Sequence, residues 1–141
     1  MNKTPLTLGA CAAALFTLVS VAIAHPIPDS PSLRGDPNRG KATFERRCTG
    51  CHALDQNRGG PRLAGVYGRK SGTVPDFAYS NELKQAGIVW NERSLNAWLT
   101  DPDTLVPGYD MSFHVPKPEE RGDLIAYLKA SSTAVNVSEG R

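Results

Sequence analysis

The feature that most constrains this chain is the run Cys48-Thr49-Gly50-Cys51-His52. Two cysteines three positions apart, followed at once by a histidine, form the C-x-x-C-H pattern by which c-type haem is attached to protein. On one helical turn both thiols lie on the same side and can reach neighbouring edges of one porphyrin, while the histidine is carried to the iron. The motif therefore predicts one haem c per chain, covalently held through Cys48 and Cys51, with His52 as an iron ligand.

Three other uses of these residues are weaker predictions. A redox-active dithiol of the thioredoxin kind expects a strand and helix framework that the surrounding sequence does not show. A zinc-stabilised interaction module needs a fourth ligand, for which only His25, His114 or a carboxylate remains. A plain disulfide leaves His52 without a role.

Length and composition place the chain among small globular domains. Its 141 residues argue for one domain, and 40% hydrophobic with 21% charged residues is an ordinary globular balance. A net charge of +2 does not suggest a nucleic-acid partner. Thirteen glycines and eleven prolines predict long loops, which in so small a domain need a group other than side chains at the centre.

The N-terminus has the order of a secretory signal peptide. Lys3 precedes an apolar run over residues 6–24 that closes with Ala22-Ile23-Ala24. We expect residues 1–24 to be a signal peptide, cleaved after Ala24, and the mature protein to be periplasmic. A retained membrane anchor is the alternative, because the run approaches the length of a membrane span. Residues 25–35, rich in proline and serine, are expected to be a flexible leader.

The rest of the chain predicts an all-α domain of short helices and long loops over residues 36–130. Helices are expected over about 37–48, around 81–86, from Asn91 to Asp101 and from about Pro118, on the basis of capping residues and apolar spacing. Residues 102–117 are expected to be irregular. Residues 131–141 are expected to be a loose C-terminal tail.

A haem iron held by one histidine needs a sixth ligand, for which the sequence offers two serious candidates. Once the signal peptide is removed, Met111 is the one remaining methionine, and His114 lies in the same irregular stretch. The third histidine, His25, falls in the leader. A methionine ligand would raise the reduction potential relative to a second imidazole.

Further motifs carry a resemblance to a known family. They are the haem motif itself, Gly60-Pro61-Arg62-Leu63-x-Gly65-Val66-x-Gly68-Arg69, Phe77-x-Tyr79-Ser80, Gly87-Ile88-Val89-Trp90, Pro107-Gly108-x-x-Met111-x-Phe113 and Arg121-x-Asp123-Leu124-Ile125-x-Tyr127-Leu128. In this order and over residues 36–130, the chain resembles class I cytochromes c of the mitochondrial type.

The resemblance implies a fold and a set of roles. The family fold wraps short helices around one haem, with the first and last helices crossing at small and aromatic residues, here Gly40, Phe44 and Tyr127. The resemblance implies that Met111 is the second iron ligand and that the carbonyl of Pro61 orients His52. It further implies that three residues hold a haem propionate, namely Arg69, Tyr79 and Trp90.

The chain also departs from the family pattern. Trp98 stands where the family usually has a tyrosine near the methionine ligand, and Leu83 where many members have a buried asparagine. The polar network beside Met111 is therefore expected to be thinner. Asp103 and Asp110 occupy positions at which the mitochondrial proteins carry docking lysines.

The function that these features predict is that of a soluble one-electron carrier between respiratory or dehydrogenase partners. The chain is expected to be a monomer and not an enzyme. The alternative is a haem peroxidase-like or gas-binding protein in which Met111 is displaced. Membrane association is expected only if the N-terminal segment is retained.

Charge is distributed unevenly along the chain. Residues 34–70 hold nine basic and three acidic residues, whereas residues 71–141 hold six basic and ten acidic ones. Arg46 and Arg47 directly precede the haem motif. We therefore expect a basic side that steers the protein to an acidic redox partner, an effect that salt would screen.

Overall fold

The computed structural model describes residues 35–109 and 111–139, so the predicted signal peptide and nearly all of the predicted leader lie outside the described residues. Within these two ranges the regular secondary structure is helical and no strand forms. The backbones of Lys70 and Val89 make one isolated antiparallel bridge. The helices, in chain order, are α1 (Pro37–Arg47), α2 (Asn81–Gln85), α3 (Glu92–Thr100), α4 (Pro102–Leu105) and α5 (Pro118–Glu139). None of these helices is long and apolar enough to cross a membrane.

The first and last helices cross at a glycine. α1 begins at Pro37, and the Asp36 side chain caps it by accepting a hydrogen bond from the Asn38 N–H at 2.8 Å. A side chain at Gly40 would overlap the backbone carbonyl of Asp123 and come within 2.8 Å of the Tyr127 Cβ. Only a residue without a Cβ therefore lets the helices approach this closely.

Aromatic packing and an ion pair flank this crossing. The rings of Phe44 and Tyr127 lie 5.5 Å apart. Arg39 donates two hydrogen bonds to the carboxylate of Asp123, at 2.7 and 2.8 Å, and the backbone N–H of Asp36 donates a third at 2.7 Å. α5 is thereby fixed to both the cap and the first turn of α1.

The predicted helix from Asn91 forms as α3, with a reciprocal cap between Asn91 and Ser94. α3 ends at Thr100. The prediction that residues 102–117 are irregular is wrong for their first four residues, which form the short helix α4. The Asp101 carboxylate caps α4 by accepting from the Thr104 N–H at 3.2 Å and its hydroxyl at 2.7 Å. Pro102, with its fixed φ, suits the first helical position.

The expected loose tail from residue 131 is wrong for residues 131–139, which continue α5 to Glu139. Ser132 is buried, donates to the Leu128 carbonyl at 2.8 Å and accepts from the Tyr67 N–H at 3.0 Å. Hydroxyl residues are poor helix formers in isolation, but this bond to a distant loop stabilises the continued helix. The packed domain thus includes residues beyond 130.

The long loop after α1 is held by scattered backbone bonds. The N–H groups of Leu63 and Ala64 donate to the carbonyls of Ala53 and Leu54, and Trp90 exchanges bonds with Gly68 and Arg69. The loops and helices share one apolar core, formed by Phe44, Val66, Trp90, Leu95, Trp98, Leu99, Val106, Val115, Leu124, Ile125 and Leu128.

Candidate cofactor site

A cavity of about 500 Å³ lies between α1, α3, α5 and the loops, and its wall is mostly apolar. All the residues predicted for the site line it, namely Cys48, Cys51, His52, Pro61, Arg69, Tyr79, Trp90 and Met111. Apolar side chains from the helices and loops complete the wall, including Phe44, Leu63, Leu95, Leu99, Leu124 and Leu128. The chain therefore surrounds a space of the size and apolar character that a bound cofactor needs.

The two thiols and His52 sit on one turn that continues from the end of α1. Cys48 is the C-cap residue, and its carbonyl accepts from the N–H groups of Cys51 at 3.1 Å and His52 at 2.8 Å. Cys48 is half-buried whereas Cys51 is exposed. Burial raises the pKa of the Cys48 thiol to about 11, although the neighbouring Arg47 opposes the shift.

The ring of His52 is fixed from behind by the loop that follows it. Nδ1 of His52 lies 2.8 Å from the carbonyl oxygen of Pro61. Because a carbonyl only accepts, Nδ1 carries the proton and Nε2 keeps the lone pair that an iron ion would bind. The buried Gly60 packs against the ring, and a side chain there would overlap its atoms.

The two candidates for the sixth ligand are separated by the structure. Met111 lines the cavity together with Ser112 and Phe113. His114 instead lines a second, open hollow of about 630 Å³ with Asp101 and other residues of the α3–α4 region. Of the two, only Met111 is placed toward the cavity that His52 lines.

A polar corner lies at the loop side of the cavity. Arg69 donates to the carbonyls of Ala64 at 2.9 Å and Arg62 at 3.0 Å. Burial lowers the pKa of Arg69 and raises the pKa of Tyr79. Within the described residues no carboxylate pairs with Arg69. A half-buried cation beside a phenol suits acidic groups on the edge of a bound cofactor.

Trp98, one of the departures from the family pattern, joins two other aromatic side chains in the wall of the cavity. Trp98 is buried, with its ring 5.4 Å from that of Trp90 and 4.6 Å from that of Tyr109, both in edge-on arrangements. Leu83 also lines the cavity.

Two contacts that support the site were not anticipated from the sequence. Asn57 accepts from the Arg62 N–H at 3.0 Å and donates to the Pro75 carbonyl at 3.1 Å, so it ties the loop behind His52 to the next loop. Gly60 belongs to one of the family motifs, but its contact with the His52 ring has no local sequence signal.

The sequence model of the family described as cytochrome c matches residues 37–132. The chain is a member of the cytochrome c family. The chain is 50% identical over 98 residues to cytochrome c of Euglena viridis, covering 67% of this chain and 96% of that protein. It is 42% identical over 115 residues to cytochrome c of Theileria annulata, covering 79% and 99%.

A solved structure agrees with this membership. Cytochrome cH from Methylobacterium extorquens matches with a TM-score of 0.65 and 40% identity, over 68% of this chain and 99% of that one. The predicted resemblance and the all-α class I cytochrome c fold are thereby confirmed.

Membership also settles the cofactor and the kind of function. The chain carries haem c covalently and acts as a one-electron carrier, with redox proteins as its partners. The comparisons give no support to the peroxidase-like or gas-binding alternative.

Proposed function

We propose that Cys48 and Cys51 would form the two thioethers to haem and that His52 and Met111 would be the ligands of its iron. The observation that carries this proposal is that one cavity is lined by both thiols, by an imidazole with Nδ1 fixed 2.8 Å from the Pro61 carbonyl, and by Met111. Bound haem supplies an iron that alternates between ferric and ferrous states.

Each residue then has a defined task in electron transfer. Pro61 holds the His52 ring so that Nε2 keeps its direction in both oxidation states, which limits the reorganisation that accompanies each electron. The Met111 thioether favours the ferrous state and raises the potential. Arg69, Tyr79 and Trp90 would hold a propionate, and the apolar wall would exclude water from a bound iron.

These roles require no general acid, general base or nucleophile, so we propose that the protein is an electron carrier without enzymatic activity.

We further propose a monomer that works in the periplasm, released by cleavage after Ala24. The charge, apolar run and A-x-A order of residues 1–24 support export. The mass of the matured protein tests this point, because it equals that of residues 25–141 plus haem only if the segment is removed there.

We propose that the partner presents an acidic docking surface to a basic rim beside the exposed Cys51. This rim consists of Arg46, Arg47 and Arg58. Glu120 pairs with Arg46 at 3.8 Å and with Arg47 at 3.3 Å, while Arg58 donates weakly to the Thr49 carbonyl at 3.4 Å. One glutamate does not cancel three arginines, so positive charge remains in excess beside the exposed Cys51.

A potentiometric titration of the holoprotein and of Met111→Ala tests the proposed ligands. We expect a single one-electron transition in each, with a lower potential in Met111→Ala because the thioether is lost. Carbon monoxide should bind the ferrous variant readily and the ferrous wild type poorly. His114→Ala is the matched control and should keep the wild-type potential. An unchanged potential in Met111→Ala would contradict Met111 ligation.

A further inference from the structure

Arg121 is a buried cation near the start of α5 that none of the roles above uses. It is 8% exposed. Its guanidinium donates to the carbonyls of Val115 at 2.8 Å and Pro116 at 2.9 Å, and to the side-chain oxygen of Asn96 at 2.9 Å. No carboxylate of a described residue forms an ion pair with it. Burying an arginine among neutral oxygens costs free energy of folding. We therefore look for a role of Arg121 in the segment that its guanidinium contacts.

The segment that Arg121 holds is the one that carries Met111. We call residues 111–117 the Met111 strap. Val115, within it, is fully buried and donates its N–H to the Leu99 carbonyl at 2.7 Å, while its own carbonyl accepts from Arg121. The strap is therefore fastened at Val115 on two sides, to α3 through one backbone group and to α5 through the other.

Between this anchor and the methionine the strap has little support of its own. Residues 111–114 make no backbone hydrogen bond to any other described residue. Only three residues separate Met111 from Val115, so a displacement of Val115 passes directly to the methionine. Packing of Met111 and Phe113 against the core is the remaining restraint.

We propose that Arg121 is a positioning residue for Met111, an inference that rests on the iron ligation proposed above. With Arg121 bonded to the strap, the Met111 sulfur stays over the cavity and the iron is closed to outside ligands. With these bonds removed, the strap moves away from the cavity for part of the time and an outside ligand competes with the sulfur. Arg121 thereby keeps the chain a carrier and not a ligand-binding haem protein.

The test compares matured, full-chain Arg121→Met with Arg39→Met in the oxidised state. Arg121→Met keeps an apolar stem but no donor. Arg39→Met is the control, because it removes another arginine that is bonded to α5, through Asp123 at the α1 crossing and away from the strap. We expect Arg121→Met to bind imidazole about tenfold more tightly, because the strap-open fraction rises by that factor. The red absorption band of thioether-ligated ferric haem should weaken, and the Val115 amide should exchange faster with solvent deuterium.

Arg39→Met should lose stability but keep the wild-type imidazole affinity and band. Arg121→Lys can still donate to one carbonyl, so its imidazole affinity and its thioether band should lie between those of Arg121→Met and the wild type. A folded Arg121→Met with wild-type imidazole affinity and Val115 exchange overturns the proposal, as does an equal gain in affinity in Arg39→Met.

Two further outcomes are informative. If Arg121→Met does not fold, Asn96→Ala takes its place, because it removes one of the acceptors that hold the guanidinium. We expect Asn96→Ala to raise the imidazole affinity and the Val115 amide exchange rate, each by less than Arg121→Met would. No change in either quantity overturns the proposal. A wild-type protein that lacks the thioether band overturns the ligation by Met111 itself, and this inference with it.

Discussion

At the scale of single residues, the site depends on how His52 is held. Its Nδ1 faces the Pro61 carbonyl at 2.8 Å, and the backbone of Gly60 lies against the ring. Gly60 is itself fixed, because its N–H donates to the Cys51 carbonyl at 2.7 Å. The histidine, the glycine and the proline therefore act as one unit that sets the direction of Nε2.

Replacing Gly60 by alanine should disturb this unit. The new methyl group would overlap the His52 ring and force the ring or the loop to shift, at a cost of about 1–3 kcal/mol in the free energy of unfolding. Gly59→Ala is the matched control, because a side chain there meets no atom closer than 3.9 Å, and we expect it to change stability by less than about 0.5 kcal/mol. Denaturant unfolding of the two ferric variants measures the difference. Equal stability of the two would show that the ring has room to move.

The haem-binding residues could be predicted from the sequence where the chemistry of attachment fixes their spacing. Cys48, Cys51 and His52 must share one turn to reach one haem, so the motif is visible in any chain that uses it. Pro61, Arg69, Tyr79 and Trp90 were reached through the family resemblance. Arg121 could not be assigned a role, because an arginine that bonds backbone carbonyls leaves no pattern around it.

At the scale of elements, the contact between α1 and α5 fixes the frame of the cavity. Asp123 is buried at this crossing, and Arg39 holds its pKa below the ordinary range through hydrogen bonds, against the opposing effect of burial. The ionised carboxylate thus stabilises the fold above the ordinary pKa of an aspartate, about 4. This contribution is lost as the pH falls through the lowered pKa.

Asp123→Asn should therefore lower the free energy of unfolding by about 1–2 kcal/mol at neutral pH, because Arg39 and the Asp36 N–H lose a charged acceptor. The deficit should begin to shrink as the pH falls below about 4, because the carboxylate of the unfolded wild type takes up a proton there, and it should vanish below the lowered pKa of folded Asp123. Urea unfolding at a series of pH values measures it. Glu45→Gln, which removes an exposed partner of Lys41, should cost less than about 0.5 kcal/mol. A deficit that stays constant down to low pH would contradict the role given to the Asp123 charge.

Helix starts were predictable because capping is local. Asp36, Ser80 and Asn91 each accept a bond from a backbone N–H two or three residues ahead, and the sequence predicts a helix start at or next to each of them. α4 and the last turns of α5 were missed. Asp101 serves as the end of one helix and the cap of the next, and the extension of α5 depends on Ser132 meeting Tyr67, 65 residues earlier.

At the scale of the whole molecule, charge is separated between the two parts of the sequence and is locally compensated by the fold. Arg46 and Arg47 share Glu120, which the sequence places far from them. The basic rim is therefore weaker than its arginine count suggests. Distances between charges depend on the fold, so this compensation could not be predicted from the chain alone.

Steering by the rim predicts a salt-dependent rate with an anionic redox agent. Oxidation of the ferrous protein by ferricyanide, followed by stopped flow, should slow several-fold as ionic strength rises. Arg58→Gln should reduce both the low-salt rate and its salt dependence. Arg93→Gln, which removes the same charge from an exposed position on α3, should have a smaller effect. A rate that does not change with ionic strength would contradict steering.

The account depends most on haem being bonded to the chain through Cys48 and Cys51. Extraction of the matured protein with acidified acetone, followed by a pyridine haemochrome spectrum, tests this directly. We predict that all haem stays with the protein and that its spectrum is that of haem whose two vinyl groups have been converted to thioethers. Haem that passes into the acetone, or a matured protein without haem, would contradict the account.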